Sequence, residues 1–359
     1  MTKSAFPLVI GLDIGRSACK VAYRHMGVSQ TFIFPSNVCL AQNISHEETA
    51  AAAARETVEV KGTSYFTGLT AQQQGGHGTL VGMSDDWVKK PEYLALVGSA
   101  INRIKQAGIT DFSNAILVIG SPSALYDDQR KTLADITRAA LDADIRVLPQ
   151  PSGAYFAHIL DEQGDPVPGK AMDLASQKLL DWAVIELGHY TTDYIMIQGG
   201  RVISKSFDST EGIGSSISLL GSLLQSRHGI KATDVTLGET LISGKIKHFG
   251  KEVSVEKLVH EAVAPVGQKI IAKADQLFDR DAASLDGVLL AGGGASFVHD
   301  ALAAKWPHLH MLREPRMAVA QGFLRYGLSV ARRNQAAAES AQAQAPASKQ
   351  PTAKEKAAA

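Results

Sequence analysis

Residues 11–20 read GLDIGRSACK, and the way this stretch folds decides how the rest of the chain is read. The apolar run Pro7-Leu8-Val9-Ile10 precedes it and Val21-Ala22-Tyr23 follows, so two strands flank a turn built on Gly15. Asp13 stands where the first strand ends and Lys20 where the second begins. A polyphosphate needs backbone N–H groups directed into a tight concavity, and only small residues let it approach. Gly15, Ser17 and Ala18 meet that need, with Arg16 between them. Lys20 has the length and charge to reach a β- or γ-phosphate, and Asp13 can hold Mg²⁺ through water. Taken alone, the same residues also describe a plain hairpin with solvated charges.

Two later turns carry related chemistry. ELGHYTTDY, residues 186–194, again places an acid and a glycine ahead of hydroxyl groups and a second acid. Thr191 and Thr192 can donate to phosphate oxygens, while Glu186 and Asp193 can orient Mg²⁺ and its waters. His189 faces a γ-phosphate, or else solvent or a neighbouring subunit. A hairpin with a polar tip is the plainer reading of this piece. In LLAGGGASFVHDAL, residues 289–302, Gly292, Gly293 and Gly294 separate a buried strand from a helix, so a flat ring or sugar can lie against main chain. The glycine spacing is not that of a dinucleotide fingerprint.

Around these turns the chain reads as an α/β protein whose second part repeats the grammar of its first. KVAYRH and QTFIFPS continue a meander, Lys61-Gly62 marks a hairpin, and EYLALVGSAINRIKQAG has helical spacing that stops at Gly108. The strand in NAILVIGSPSALY, a helix through DQRKTLADITRAALDA, the strand IRVLPQP and the helix-like SGAYFAHIL complete the first part. After the turn-rich DEQGDPVPGK, three strands are expected in LLDWAVIELG, TTDYIMIQGG and RVISKSF, followed by helices and the strand DGVLLAGGGA. From Asn334 onward no Leu, Ile, Val, Met or aromatic residue occurs, and this composition predicts a disordered tail over 334–359.

Bulk composition narrows the function classes. The 359 residues are 45% hydrophobic and 20% charged, with 36 basic and 36 acidic side chains. A neutral chain offers no general nucleic-acid-binding surface. Its two cysteines, Cys19 and Cys39, suit a reducing, cytoplasmic setting and lack metal-ligand spacing. No apolar run approaches the roughly 18 residues that span a bilayer, and no membrane association is expected.

The order of the three turns, with the second about 170 residues after the first, resembles the actin-like ATPase superfamily. FPSNV, YFTGLTA, EYLALVGSAI, LVIGSPSALYDDQR and EPRMAVAQGFLRYG are similar to stretches of the bacterial plasmid-segregation actins of the ParM/StbA type. The resemblance covers roughly residues 7 to 330. It implies an actin-like (ribonuclease H-like) fold of duplicated domains flanking a nucleotide cleft. Domain I would hold residues 1–160 with 315–333, and domain II residues 161–314. The bound group would be ATP, with GTP as the alternative, together with Mg²⁺.

By resemblance, Asp13, Gly15, Arg16, Ser17, Ala18 and Lys20 form the first phosphate loop, and Gly188, His189, Thr191, Thr192 and Asp193 the second. Gly292, Gly293 and Gly294 meet the nucleoside, helped by Glu211 and Gly214 on the following helix. Gln150 positions the attacking water, and since an amide takes no proton at neutral pH its part is orientation. The metal set is Asp13, Glu186 and Asp193, through water. Glu186 departs from the family's aspartate, and His189-Tyr190 from its glycines. Tyrosine avoids left-handed backbone, so this turn is expected to be either reshaped or strained.

The resemblance further implies self-assembly into head-to-tail filaments and an adaptor protein bound to centromeric plasmid DNA. Contact surfaces are expected around residues 72–91, where Trp87 is either an anchor or buried under a loop, and around 238–253. A small-molecule kinase of the same superfamily and a non-filamentous nucleotide-binding scaffold are the alternatives.

Overall fold

The computed structural model describes residues 6–76, 79, 84, 86–278 and 282–344. Part of the expected contact segment 72–91 and residues 345–359 of the expected tail lie outside them. Strands β1 (Val9–Ile14), β2 (Ala18–His25) and β3 (Val28–Pro35) form the antiparallel meander. The register of β1 on β2 sets Asp13 directly opposite Lys20, so the acid and the lysine that frame the turn face each other. A small sheet follows, made of β4 (Val38–Leu40), β5 (Thr57–Val60) and β6 (Thr63–Thr67), with helix α1 (Glu47–Arg55) inside it and α2 (Gly68–Gln74) after it. Lys61 and Gly62 join β5 to β6 with φ of 52° and 78°, as a two-residue turn of the I′ kind requires.

Helix α3 (Pro91–Gln106) opens on a proline and ends just before Gly108. Then come β7 (Ile116–Ser121), α4 (Tyr126–Ala140), β8 (Asp144–Pro149) and α5 (Gln150–Ile159). Strand β7 runs parallel to β1 and β8 parallel to β7, giving the sheet order β3-β2-β1-β7-β8.

The second half repeats this order. It contains β9 (Trp182–Leu187), β10 (Thr191–Gln198), β11 (Arg201–Val202) and β12 (Asp208–Glu211), then α6 (Gly214–His228) and α7 (Asp234–Ser243). The hairpin β13 (Lys245–His248) and β14 (Lys251–Ser254), α8 (Glu256–Phe278), β15 (Gly287–Ala291), α9 (Ala295–Lys305), β16 (Leu309–Met311) and α10 (Ala318–Gln344) follow. Its sheet is ordered β11-β10-β9-β15-β16, again an antiparallel meander joined to two parallel strands.

Two details differ from the sequence reading. The strand expected through RVISKSF stops at Val202, because the Ser206 hydroxyl accepts from the Met196 amide at 2.7 Å in place of a ladder partner. Asn334 to Gln344 continue α10 rather than forming the start of a disordered tail. Alanine and glutamine are strong helix formers, and the first proline beyond them is Pro346.

Both sheets are covered on two faces. Ile10, Leu12 and Ile14 of β1 pack under α3 and α4, while Val9 meets Phe323 and Leu324 of α10. Likewise Ala183, Ile185 and Leu187 of β9 face α6, α8 and α9, while Val184 faces Ala154 and Tyr155 of α5. Each half therefore lends a helix to the join: α5 leaves the first sheet to lie on the second, and α10 returns from the second to lie on the first. The two helices cross where glycines permit contact of backbones. A β-carbon on Gly322 would lie 1.6 Å from the Gly153 carbonyl oxygen.

Candidate functional site

The β1–β2 turn and the β9–β10 turn open onto one cleft between the halves. Asp13, Gly15, Arg16, Ser17 and Lys20 line one wall, and Glu186, Gly188, His189, Tyr190 and Thr191 the other. Gln150, the first residue of α5, closes the floor. The enclosed space is about 60 Å³, because side chains fold across it. Lys20 Nζ donates to Asp13 Oδ2 at 2.9 Å, and Gln150 Nε2 donates to Asp13 Oδ1 at 2.8 Å.

Electrostatics follow from this burial. Burial pushes the Glu186 carboxyl up to about 8, and the nearby carboxylates of Asp13 and Asp193 add to the rise while Lys20 opposes it. Burial on its own would lower the Lys20 ammonium, but Asp13 and Glu186 outweigh it and the net direction is upward. His189 is lowered by burial, so a neutral imidazole lines the second wall.

The first turn is braced from behind. Ser36 donates its hydroxyl to the Gly15 carbonyl at 2.5 Å, and its amide donates to the Ser17 carbonyl at 3.1 Å. Ala18 is buried beneath the turn. A β-carbon on Gly15 would lie 3.0 Å from Lys20 Nζ, and one on Gly188 would lie 2.9 Å from the Thr191 carbonyl oxygen. Both turns thus present bare backbone to the cleft. His189 and Tyr190 do not adopt the left-handed conformation, so the second turn is reshaped and unstrained.

Alternation along β10 separates residues that sequence reasoning grouped together. Thr191 lines the cleft, whereas Thr192 points away, fully buried, with its hydroxyl donated to the Glu211 carbonyl at 2.9 Å. Asp193 is fully buried as well, outside the cleft lining. Its Oδ1 accepts from the Ser123 amide at 2.8 Å and the Ser209 hydroxyl at 2.7 Å, and its Oδ2 from the Thr191 hydroxyl at 2.8 Å. Burial raises its carboxyl despite those three donors. Saturated in this way, Asp193 ties β7–α4 of the first half to β10 and β12 of the second. Of the expected metal set, Asp13 and Glu186 line the cleft, while Asp193 lies behind it, bonded to the Thr191 that does.

The glycine corner docks on the back of the second turn. The Gly294 amide donates to the Leu187 carbonyl at 3.0 Å and the Gly292 amide to the Pro315 carbonyl at 2.8 Å. Gly292 has φ of 95°, and a β-carbon there would strike the Leu187 carbonyl oxygen. Gly293 faces the Arg316 side chain. Gly214 also reaches this turn, its amide donating to the His189 carbonyl at 2.7 Å. Glu211 ends strand β12 instead of lying on the following helix, and it pairs with Lys269 of α8. Beside that pair is a second hollow of about 450 Å³, lined by Thr210, Glu211, Lys269, Ala272, Lys273 and Gln276.

Three contributors escaped the sequence reading. Trp87 and Tyr93, stacked edge to face at 5.0 Å, line the cleft above Lys20, and the buried indole is therefore no exposed contact anchor. The brace from Ser36 was legible only as a serine after Pro35. Among the described residues no group of three or more His, Cys, Asp or Glu side chains is placed to hold a metal ion by itself.

Paired meander-plus-parallel sheets, exchanged helices and a cleft walled by two glycine turns define an actin-like protein. Residues 11–153 match the family described as "Actin like proteins N terminal domain", and residues 184–304 match "Archaeal actin homologue MreB-like, C-terminal". The two family models together span both halves of the chain, whose fold is actin-like. An archaeal actin homologue superposes with a TM-score of 0.69 at 19% identity, over 93% of this chain and 99% of that one. A subunit of a 15-stranded ParM filament from Clostridium botulinum gives 0.69 at 19%, over 89% and 99%. ParM from Bacillus thuringiensis with AMPPNP gives 0.61 at 14%, over 90% and 99%. No curated protein sequence is significantly similar to the chain.

Proposed function

We propose that this protein binds ATP with Mg²⁺ in the cleft, hydrolyses it, and assembles head to tail into filaments. The filaments would act in the cytoplasm to move plasmid DNA through an adaptor bound at its centromere. One observation carries the reading: two equivalent hairpin turns bring Asp13, Lys20, Gln150 and Glu186 to a common cleft. The nucleotide-bound state of the Bacillus thuringiensis protein, an ADP complex of the archaeal homologue and the Clostridium botulinum filament support it.

The residues fit such a ligand. Gly15 and Gly188 give backbone access that any side chain would fill. Lys20, held ready by Asp13, supplies a mobile cation for phosphate oxygens. Asp13 and Glu186 are hard oxygen donors at the cleft, suited to a cation that keeps most of its ligands as water and phosphate. Mg²⁺ bound there would neutralise phosphate charge. Gln150 commits its Nε2 to Asp13, which leaves Oε1 as the acceptor that orients a water. Glu211, Gly214 and the corner Gly292–Gly294 would hold the nucleoside, with the Lys269–Lys273 hollow beside them.

At about 60 Å³ the cleft is smaller than the roughly 300 Å³ at which small-molecule sites begin. Nucleotide is therefore admitted when Lys20 leaves Asp13 and the walls part. Rebinding of both walls to the phosphates would fix the angle between the halves and so the shape of the subunit ends. A neutral overall charge favours an adaptor over direct contact with DNA.

Light scattering of the purified protein with Mg²⁺ and ATP tests the reading. A rise followed by decay is expected as filaments grow and hydrolysis empties them. A flat trace at tens of micromolar protein, with turnover independent of protein concentration, would point instead to a soluble kinase or scaffold.

A further inference from the structure

The outer strands of the two main sheets differ in how their free edges are guarded. An unpaired edge offers a row of bare N–H and C=O groups, and proteins blunt it with charge, proline or shortness. Strand β8 carries Asp144 and Arg146 and ends in Pro149. Strands β11 and β16 are two and three residues long, and the four residues of β12 include Asp208 and Glu211. Strand β3 is the exception: its eight residues, VSQTFIFP, hold no charge, and proline comes only at the last position. Among the described residues its ladder partner is β2 alone.

The register fixes which backbone groups of β3 face outward. Met26 and Gly27, with φ of 48° and 81°, make a two-residue turn between His25 and Val28. In such a hairpin the flanking residues exchange both backbone hydrogen bonds, and bonded pairs then alternate with unbonded ones. Val28, Gln30, Phe32 and Phe34 therefore bond to β2, while Ser29, Thr31, Ile33 and Pro35 turn their backbone groups to the open side. Pro35 has no N–H to give, and it falls in the outward set, where a strand tolerates proline. Val28, Ser29, Gln30, Thr31 and Ile33 are exposed, and Met26 at the tip is 85% exposed.

The outward set is centred on Thr31 and is complementary to itself. When two β3 strands run antiparallel about a two-fold axis at Thr31, each Thr31 faces the other and each Ser29 faces an Ile33. Those three pairs exchange about six backbone hydrogen bonds. On the opposite face each Gln30 meets a Phe32. No charged side chain enters any of these pairs, and threonine opposite threonine is favourable across strands. The same register lays the exposed Met26 of each copy beside the Pro35 end of the other. A different partner would need its own uncharged edge; a second copy already has one.

We propose that β3 is a dimerisation edge, pairing antiparallel with β3 of a second copy so that two five-stranded sheets become one continuous sheet. The contact is isologous and closes on itself. It involves neither the cleft nor nucleotide, and so stands apart from the head-to-tail assembly proposed above. Its area is that of two short strands, which makes the dimer a weak, concentration-dependent one.

Sedimentation of the full-length protein without nucleotide, from micromolar to hundreds of micromolar, is expected to show a monomer–dimer equilibrium. Thr31→Pro takes one N–H per copy from the contact and none from the β2 ladder. It is expected to fold normally and to weaken the dimer by roughly 10- to 100-fold. Thr31→Lys keeps the backbone intact and sets two like charges opposite each other at the axis, with a similar loss expected; it carries the test if proline lowers the melting temperature. Cysteines read the register, since Cα atoms of a bonded pair lie about 5.5 Å apart, within disulfide reach. Under mild oxidant Thr31→Cys should link into dimers. Ser29→Cys should link to Ile33→Cys but not to itself, its two copies being about 14 Å apart along the strands. The native Cys19 and Cys39 are buried and do not compete. A wild type that stays monomeric throughout, a dimer that survives both Thr31 substitutions, or Ser29→Cys linking to itself as readily as Thr31→Cys overturns the proposal.

Discussion

Gln150 Nε2 donates to Asp13 Oδ1 across 2.8 Å, joining the first turn of α5 to the end of β1. Since α5 lies on the second sheet, this bond couples the cleft aspartate of one half to a helix packed on the other. Gln150→Ala is expected to lower the rate of phosphate release by about 100-fold, in line with loss of one positioning group. Nucleotide affinity should change little. Parallel measurement of phosphate release and binding checks this, and an unaltered rate would remove Gln150 from the hydrolytic step.

Lys20 is the cation that spans the first turn. Lys20→Ala is expected to weaken ATP binding by about 1.5–3 kcal/mol, the worth of a charge-assisted hydrogen bond. Calorimetric titration with ATP and with adenosine separates the causes. Affinity for adenosine should be unchanged if Lys20 acts on phosphate.

Asp193 holds the halves together by accepting from the Ser123 amide, and is fixed within its own half by Ser209. Asp193→Ala is expected to cost about 2–4 kcal/mol of folding stability by orphaning buried donors. Thermal melting without nucleotide reads that loss. A variant that melts normally but stops hydrolysing would return Asp193 to the active centre.

His158 on α5 is packed against Trp182 at 4.4 Å between ring centres, with its buried Nε2 unpaired among the described residues. Burial first, then Lys170 and His310, lowers its imidazole to about 4. A His held below its unfolded value near 6.5 contributes stability that is present above that pH and is lost as pH falls toward 4. The loss is on the order of 1–3 kcal/mol. His158→Phe should flatten the melting temperature between those pH values, and an unchanged acid slope would assign the effect elsewhere.

Trp87 lines the cleft, whereas Trp182 and Trp306 are core residues of the second half. Nucleotide should therefore alter tryptophan emission, and Trp87→Phe should abolish that change without abolishing binding. A response that survives the substitution would place the ligand near a different indole.

Much of this fold was legible from strand punctuation. The three turns, the hairpin at Lys61-Gly62, the stop at Gly108 and the repeated meander all follow from local spacing. The site was legible where turn residues alone fix geometry, as at Asp13 opposite Lys20. Strand alternation from Thr191 already predicts that the Thr192 side chain faces away, whereas the burial of Asp193 against Ser123 depends on the other half. Ser36, Trp87 and Ser123 reach their positions through tertiary packing between distant segments, which no local pattern encodes.

The central claim is that the two hairpin turns hold one triphosphate between them. A structure determined with Mg²⁺ and a non-hydrolysable ATP analogue tests it most directly. Phosphates are predicted between Gly15–Lys20 and Gly188–Thr191, with Lys20 moved from Asp13 onto them. Phosphates bound elsewhere, or Lys20 still on Asp13 at saturating analogue, would contradict the account.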